Sequence, residues 1–178
     1  MKGIIFNIVE EVVVDQFGQS TWEALLDATG SLGAYTSLGS YPDVELVALV
    51  DAAAQATGQD PRTVLHWIGA QALPKLQQRF PVFFAAADDA RTFILSVNTI
   101  IHPEVRKLYS GAGCPHFHFV ETPGTLTLGY SSPRKMCDLA HGFVDGVATY
   151  YGEQVAVTQP SCMHDGAPSC QLVISWAS

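Results

Sequence analysis

The spacing of apolar residues changes about two thirds of the way along this 178-residue chain, and that change constrains the fold more than any single motif. Before the change, apolar side chains recur at helical spacing, and Gly, Pro and Asp residues punctuate the pattern. We predict five helices. The first spans residues 3–16, and the second runs from a capping box at Ser20 and Glu23 to Gly30. The third runs from Pro42-Asp43 to Gly58, the fourth from Asp60-Pro61 toward Phe80, and the fifth spans residues 88–101. Pro74 is expected to break or kink the fourth helix.

In the last third, short β-branched or aromatic segments bounded by Pro, Gly or Ser predict strands. A helix over Lys135–Tyr151 separates two strand pairs, which are Phe117–Glu121, Thr125–Tyr130, Val155–Gln159 and Leu172–Trp176. Helices followed by a mostly antiparallel sheet make an α+β fold. We expect one domain over 1–178, in which a helical N-terminal subdomain (about 1–60) packs on an α/β subdomain (about 61–178).

Composition excludes several classes of protein. Nine Lys and Arg against 17 Asp and Glu give a net charge of −8, and the basic residues form no patch that would bind nucleic acid or an anionic membrane. No segment approaches the roughly 18 uninterrupted apolar residues of a membrane span. The chain reaches Glu10 and Glu11 before any small-residue cleavage site, so we expect a cytoplasmic protein whose four cysteines are thiols, metal ligands or redox groups.

Tyr130, Ser132 and Arg134 place a phenol, a hydroxyl and a guanidinium at alternate positions where a predicted strand ends. Alternate residues of an extended segment share a face, so the three donors can converge on one anion. Arginine binds a carboxylate as a planar fork, and the hydroxyls add charge-assisted hydrogen bonds. The motif indicates a carboxylate site, although an ordinary solvated strand edge would carry the same residues.

His102 follows Ile100 and Ile101 and precedes Pro103. One interpretation is a core histidine whose imidazole bonds to a backbone carbonyl. The other is an axial ligand of heme iron, which needs an apolar flank of this kind to face a porphyrin. The residues by themselves leave both interpretations open.

Cys162, His164 and Cys170 lie between the last two predicted strands, while Cys137 and His141 share a face of the preceding helix at i, i+4. Three thiolates and an imidazole form an ordinary tetrahedral zinc site. A reactive thiol cluster that responds to oxidation, or a set of inert buried cysteines, would use the same residues. Zinc is the prediction we carry forward, with both alternatives open.

These features together resemble the heme nitric oxide/oxygen binding (H-NOX) family, whose bacterial members are related to the soluble guanylate cyclase sensor domain. The resemblance covers essentially the whole chain, and a Tyr-x-Ser-x-Arg motif with an upstream histidine is the family's most specific mark. The matching residues are Met1-Lys2-Gly3-Ile4, Ile101-His102-Pro103-Glu104-Val105-Arg106-Lys107-Leu108-Tyr109, Pro115 and Tyr130-x-Ser132-x-Arg134.

The resemblance implies a sensor, not an enzyme, with one heme b between the two subdomains. His102 matches the proximal histidine that ligates heme iron, and Pro115 matches the proline that bends the porphyrin. Tyr130, Ser132 and Arg134 match the residues that hold the heme propionates.

The same resemblance implies a gas preference. Family members that bind dioxygen stably carry a tyrosine five residues past the motif arginine, where this chain has Leu139. A missing hydrogen bond of about 1.5–3 kcal/mol weakens dioxygen binding by roughly 10- to 150-fold, so nitric oxide is the implied ligand, with carbon monoxide also bound. The implied distal pocket consists of Ile5, Val9, Ala72, Leu139 and Phe143.

Nitric oxide is expected to weaken the bond between iron and His102, release the distortion imposed by Pro115 and shift the helical part against the sheet. The implied partner is a separate protein, either a histidine kinase or a cyclic-di-GMP enzyme. The alternative is a heme-free zinc/thiol redox or small-molecule-binding regulatory domain of related fold, in which His102 is only a core residue.

Zinc sites in the family use three cysteines that match Cys137, Cys162 and Cys170. Their fourth ligand is a histidine at the position that Gln159 occupies here. His164 or His141 is the expected substitute.

Overall fold

The computed structural model describes residues 1–177, so Ser178, the last residue of the predicted domain, lies outside the described residues. The described chain forms eight helices and four strands, with a π-helical turn at Val97–Ile101 and a 3-10 turn at Met163–Asp165. The helices are α1 (Gly3–Phe17), α2 (Gln19–Thr29), α3 (Asp43–Thr57), α4 (Pro61–Arg79), α5 (Pro81–Ala85), α6 (Ala90–Ser96), α7 (His102–Leu108) and α8 (Cys137–Tyr150). The strands are β1 (His116–Thr122), β2 (Thr125–Ser131), β3 (Val155–Ser161) and β4 (Cys170–Trp176).

Most helix ends lie where the sequence predicts them. Gly30 and Gly58 end α2 and α3 in the left-handed conformation, with φ of +66° and +67°. The Asp60 carboxylate accepts a hydrogen bond from the Arg62 N–H at 2.8 Å and so begins α4. The predicted capping box at Ser20 is wrong, because the chain turns at Gly18 with φ of +86° and α2 begins before Ser20 is reached.

The four strands form one antiparallel sheet in the order β1-β2-β4-β3. Each strand is one or two residues longer than predicted, and Gly124, with φ of +77°, lies in the predicted turn between β1 and β2. Tyr130 of β2 pairs with Cys170 of β4. This register brings the start of the Tyr-x-Ser-x-Arg segment beside the first residue of β4. The α+β fold is confirmed.

Helices α4 and α8 form the most extensive helix contact, and their backbones touch. A Cβ at Gly142 would lie 1.9 Å from the His66 carbonyl oxygen, and one at Gly69 would lie 2.4 Å from that of Leu139. These distances leave no room for any side chain, so glycine is required at both positions.

Pro74 lies inside α4, which continues to Arg79, so the predicted break is wrong. A proline removes the N–H that would bond to the carbonyl four residues earlier, here that of Ala70. The Ala70 oxygen lies 2.9 Å from the position of a Cβ on Gly146. The close backbone of α8 therefore packs against the carbonyl that Pro74 leaves without its intrahelical donor.

Helix α4 belongs to both main hydrophobic clusters. Val64 and Ile68 pack with residues of α1, α2 and α3, while Leu73 packs with α8 and the sheet. The division into subdomains at residue 60 stays a prediction, because α4 joins the two parts. No helix in residues 1–177 combines the length and hydropathy that a membrane crossing requires.

Whether alanine at Gly142 raises or lowers the free energy of unfolding depends on the packing between α4 and α8. Alanine stabilises a helix interior by about 0.5–1 kcal/mol relative to glycine where space allows. At Gly142 the clash with His66 outweighs this gain, and we expect Gly142→Ala to lower the free energy of unfolding by about 1–3 kcal/mol. Gly146→Ala, with its nearest contacts at 2.9 Å, is the control and should lose less in the same denaturant titration.

Candidate functional site

A largely apolar cavity of about 320 Å³ lies between the helices and the sheet. Helices α1 and α4 to α8 line it together with β1 and β2. Its polar lining includes His102 and the three residues Tyr130, Ser132 and Arg134. An apolar cleft or cavity with a few polar groups is the usual form of a cofactor or small-molecule site.

His102 is presented to the cavity by an irregular segment. The sequence predicts one helix over 88–101, but the chain forms α6, a π-helical turn and then α7, which begins at His102. Pro103 has no N–H, so the turn before it is free to widen. Turns of this kind occur frequently at functional sites.

The Nδ1 atom of His102 is buried and has no hydrogen-bond partner in the described chain. Burial, with a smaller contribution from Arg106, lowers the pKa of His102 to about 4. The Pro115 carbonyl opposes this shift only weakly, and no hydrogen bond of normal geometry joins the two residues. The imidazole is therefore neutral and unsatisfied, which disagrees with a core histidine bonded to a carbonyl and suits an axial ligand.

Asn98 anchors the π-helical turn to β1, a role that the sequence does not reveal. Its Nδ2 donates to the Phe117 carbonyl at 2.6 Å, and its Oδ1 accepts from the Phe117 N–H at 3.1 Å. The Phe117 ring lies 5.7 Å from that of His102 between centroids. An asparagine four residues before a histidine is the only local signal, and it is not specific.

The three donors of the Tyr-x-Ser-x-Arg motif all line the cavity. The Tyr130 oxygen accepts from the Met136 N–H at 2.9 Å, so its own O–H remains available to donate. The Ser132 oxygen accepts from the Arg134 N–H at 3.3 Å and likewise keeps its proton. The solvated-edge interpretation does not describe Tyr130 and Ser132, which are both buried.

Arg134 is held by a junction that sequence patterns do not indicate. Its Nε donates to Asp43 at 2.7 Å, and its Nη1 donates to the Gly113 carbonyl. The other oxygen of Asp43 accepts from the N-terminal ammonium of Met1 at 2.6 Å. Burial raises the pKa of Asp43, but the bonds from Met1 and Arg134 outweigh it, and the net pKa is lowered.

The residues predicted for the distal pocket divide into two groups. Ile5, Leu139 and Phe143 line the cavity, as does Pro115. Val9 and Ala72 do not line it, but lie buried in the clusters behind its wall.

Cys137, Cys162 and Cys170 are buried together where α8 meets the ends of β3 and β4. The sulfur of Cys162 lies 3.8 Å from that of Cys137 and 3.9 Å from that of Cys170. Gln159, at the position of the family histidine, donates from Nε2 to the Cys137 sulfur at 3.4 Å. Burial raises the pKa of both Cys137 and Cys170, so these two hold their protons in the absence of an ion.

The two histidines considered as a fourth ligand lie in different places. A ring nitrogen of His164 lies within 4.8 Å of the Cys137 sulfur and the Asp138 carboxylate. His141 instead faces His66 and Asp145. Of the two, His164 lies nearer the thiols, but it is grouped only with Cys137 among them, and its Nε2 lies 2.7 Å from the Lys135 carbonyl oxygen.

Comparison with known proteins decides the family. The sequence profile described as Haem-NO-binding matches residues 2–159. The chain belongs to the H-NOX family. It is 33% identical to an H-NOX protein from S. oneidensis crystallised in the Fe(II)NO state, with both chains fully covered and a TM-score of 0.95. No curated protein sequence matches it significantly.

Two further structures agree with this H-NOX assignment. The S. oneidensis SO2144 H-NOX domain, solved by NMR in the Fe(II)CO state, is 33% identical over 100% of this chain and 99% of its own, with a TM-score of 0.91. An Fe(II) unliganded H-NOX protein from K. algicida is 25% identical over 100% and 97%, with a TM-score of 0.89. H-NOX domains bind heme and act as gas sensors, not as enzymes.

Proposed function

We propose that this chain is a nitric oxide sensor that holds one heme b on His102 and signals to a separate effector protein. The observation that carries the proposal is the buried, unpartnered Nδ1 of His102 at an apolar cavity. The imidazole is neutral there and has an unpartnered ring nitrogen that can act as a metal ligand. When bound, heme supplies a ferrous iron that takes up diatomic gases and two propionates that carry negative charge.

The motif residues supply the hydrogen-bond donors and the positive charge that bind carboxylates. Tyr130 and Ser132 keep their hydroxyl protons for donation, and Arg134 has N–H donors beyond the two that bond to Asp43 and Gly113. Together they offer buried neutral donors and a fixed positive charge on one stretch of chain. We assign to them the binding of the two propionates.

The cavity wall supports nitric oxide over dioxygen. Ile5, Leu139 and Phe143 line it, and none of these side chains can donate a hydrogen bond. Dioxygen draws negative charge when it binds ferrous iron and depends on a nearby donor, whereas nitric oxide stays almost neutral. Carbon monoxide is expected to bind for the same reason.

Signal transmission uses contacts already present between the two parts of the chain. His102 connects the cavity to α7, and Arg134 connects it through Asp43 to α3 and the N-terminus. A change in tension at His102 and Pro115 would alter how the N-terminal helices sit on the sheet part, and thereby the surface offered to a partner. We assign that partner to the class of histidine kinases or cyclic-di-GMP enzymes.

We also propose a zinc ion held by the three buried cysteines and His164. A tetrahedral zinc with bonds of about 2.3 Å places its sulfur ligands about 3.8 Å apart. The observed separations of 3.8 and 3.9 Å agree with this value. Zinc would displace the protons that burial keeps on Cys137 and Cys170.

Replacement of His102 tests the heme assignment. We expect His102→Ala to lose most of its heme and to recover it when imidazole is added, measured as Soret absorbance per protein. His118→Ala, which removes an exposed histidine from β1, is the control and should keep its heme. A folded His102→Ala protein with normal heme content and spectrum would contradict the assignment. A wild-type protein that never takes up heme would favour the heme-free regulatory domain.

Replacement of Leu139 tests the gas preference. Leu139→Tyr adds a hydroxyl to the cavity wall, and we expect it to raise dioxygen affinity by roughly 10- to 150-fold, in line with one hydrogen bond of about 1.5–3 kcal/mol. Leu139→Phe adds the ring without the hydroxyl and is the matched control. Ferrous spectra recorded in air measure both. A stable oxygen complex in the wild-type protein would overturn the nitric oxide assignment.

Replacement of Cys170 tests the zinc site. We expect Cys170→Ser to lose the zinc that survives dialysis against a chelator, counted by elemental analysis per heme iron. Cys114→Ser is the control, because Cys114 lies at the cavity and not among the three thiols. Equal zinc in the two variants, or none in the wild-type protein, would contradict the site.

A further inference from the structure

A second group of metal-ligating side chains lies where α4 meets α8. His66 of α4 faces His141 and Asp145 of α8, and one ligand atom from each lies within 4.8 Å of the others. His66 Nε2 is 2.7 Å from Asp145 Oδ2, and His141 Nε2 is 3.8 Å from the same oxygen. None of the three lines the cavity or belongs to the thiol cluster.

The backbone fixes the relative position of these side chains. His141 and Asp145 are four residues apart and so project from the same face of α8. The His66 carbonyl lies against Gly142, where a Cβ would be 1.9 Å from its oxygen. The three ligands therefore stand on two helices that the glycine contact holds at one distance.

We propose that His66, His141 and Asp145 form a binding site for a divalent transition-metal ion, with zinc as the ion that fits best. Two imidazoles and a carboxylate are ligands that zinc uses in sites with an open fourth position. A tetrahedral ion with bonds of about 2.0 Å places ligand atoms about 3.3 Å apart. The observed 2.7 and 3.8 Å lie on either side of this value, and the two imidazole nitrogens lie within 4.8 Å of each other.

The site is open to solvent. The side chains of His66 and Asp145 are each 36% exposed and that of His141 is 25% exposed, so an ion can enter from solvent and keep a water ligand.

A metal at this position links α4 to α8, so binding should stabilise the folded protein. The test adds Zn²⁺ in equimolar steps to chelator-dialysed, heme-loaded protein and measures bound zinc per heme iron at equilibrium, with the melting temperature in parallel. We expect wild-type protein to bind one more zinc than His66→Gln/His141→Gln and to melt at a higher temperature with zinc than without. The double variant should not show that rise.

Three further variants keep the test decisive. His141→Gln leaves the bond between His66 and Asp145 in place, so it should stay folded and weaken zinc binding at this site by about tenfold or more, the loss that removal of even an outer-shell partner causes. His118→Gln removes an exposed histidine elsewhere and should bind zinc as the wild-type protein does. Cys170→Ser should remove only the thiolate zinc and leave the additional zinc unchanged.

Equal zinc affinity at this site in the wild-type protein and in His141→Gln would overturn the proposal and leave His66 hydrogen-bonded to Asp145 without a metal. Loss of the additional zinc in Cys170→Ser would also overturn it, because that zinc would then belong to the thiols. Heme content, measured in the same samples, reports on the cavity and is independent of both outcomes.

Discussion

The backbone contact between α4 and α8 is the constraint on which the rest of the structure depends. Gly69 and Gly142 allow the two helices to approach until carbonyls of one meet the backbone of the other. Helix α4 continues through Pro74 beside this contact and packs on both main hydrophobic clusters. Because interiors are packed to crystal-like density, a side chain inserted here would displace both clusters at once.

Helix α8 presents different chemistry on its different faces. Leu139 and Phe143, four residues apart, face the cavity, while His141 and Asp145, also four apart, face α4 beside its glycine contact. Cys137, at its first turn, faces the thiols. A helix advances 100° per residue, so one stretch of 14 residues serves three sites without sharing a side chain. A movement of α8 caused at one site would therefore be felt at the others.

Local chemistry made most of the fold predictable, and non-local contacts account for what the sequence could not reveal. Glycines at 30 and 58 and the cap at Asp60 act within a few residues, so the helix ends they set are readable from sequence. The close packing of α4 on α8 around Pro74 instead involves residues that are distant in sequence. The candidate site shows the same contrast. His102 and the Tyr-x-Ser-x-Arg motif are recognisable as patterns, whereas the Asp43 junction with Arg134 joins residues 91 positions apart.

At the edge of the cavity, Asp43 would compete with a bound carboxylate for Arg134. Asp43 holds Arg134 by a carboxylate of the same kind as a propionate, and it also holds the N-terminal ammonium. A carboxylate arriving from the cavity would share Arg134 with Asp43, so its binding free energy depends on the position of α3. The dependence is reciprocal. If binding of the carboxylate changes the free energy of an α3 position, then a shift of α3 to that position changes the binding free energy of the carboxylate by the same amount. Arg134 and Asp43 thus connect α3 and the N-terminus to the edge of the cavity, in addition to the direct contact that α1 makes with its lining.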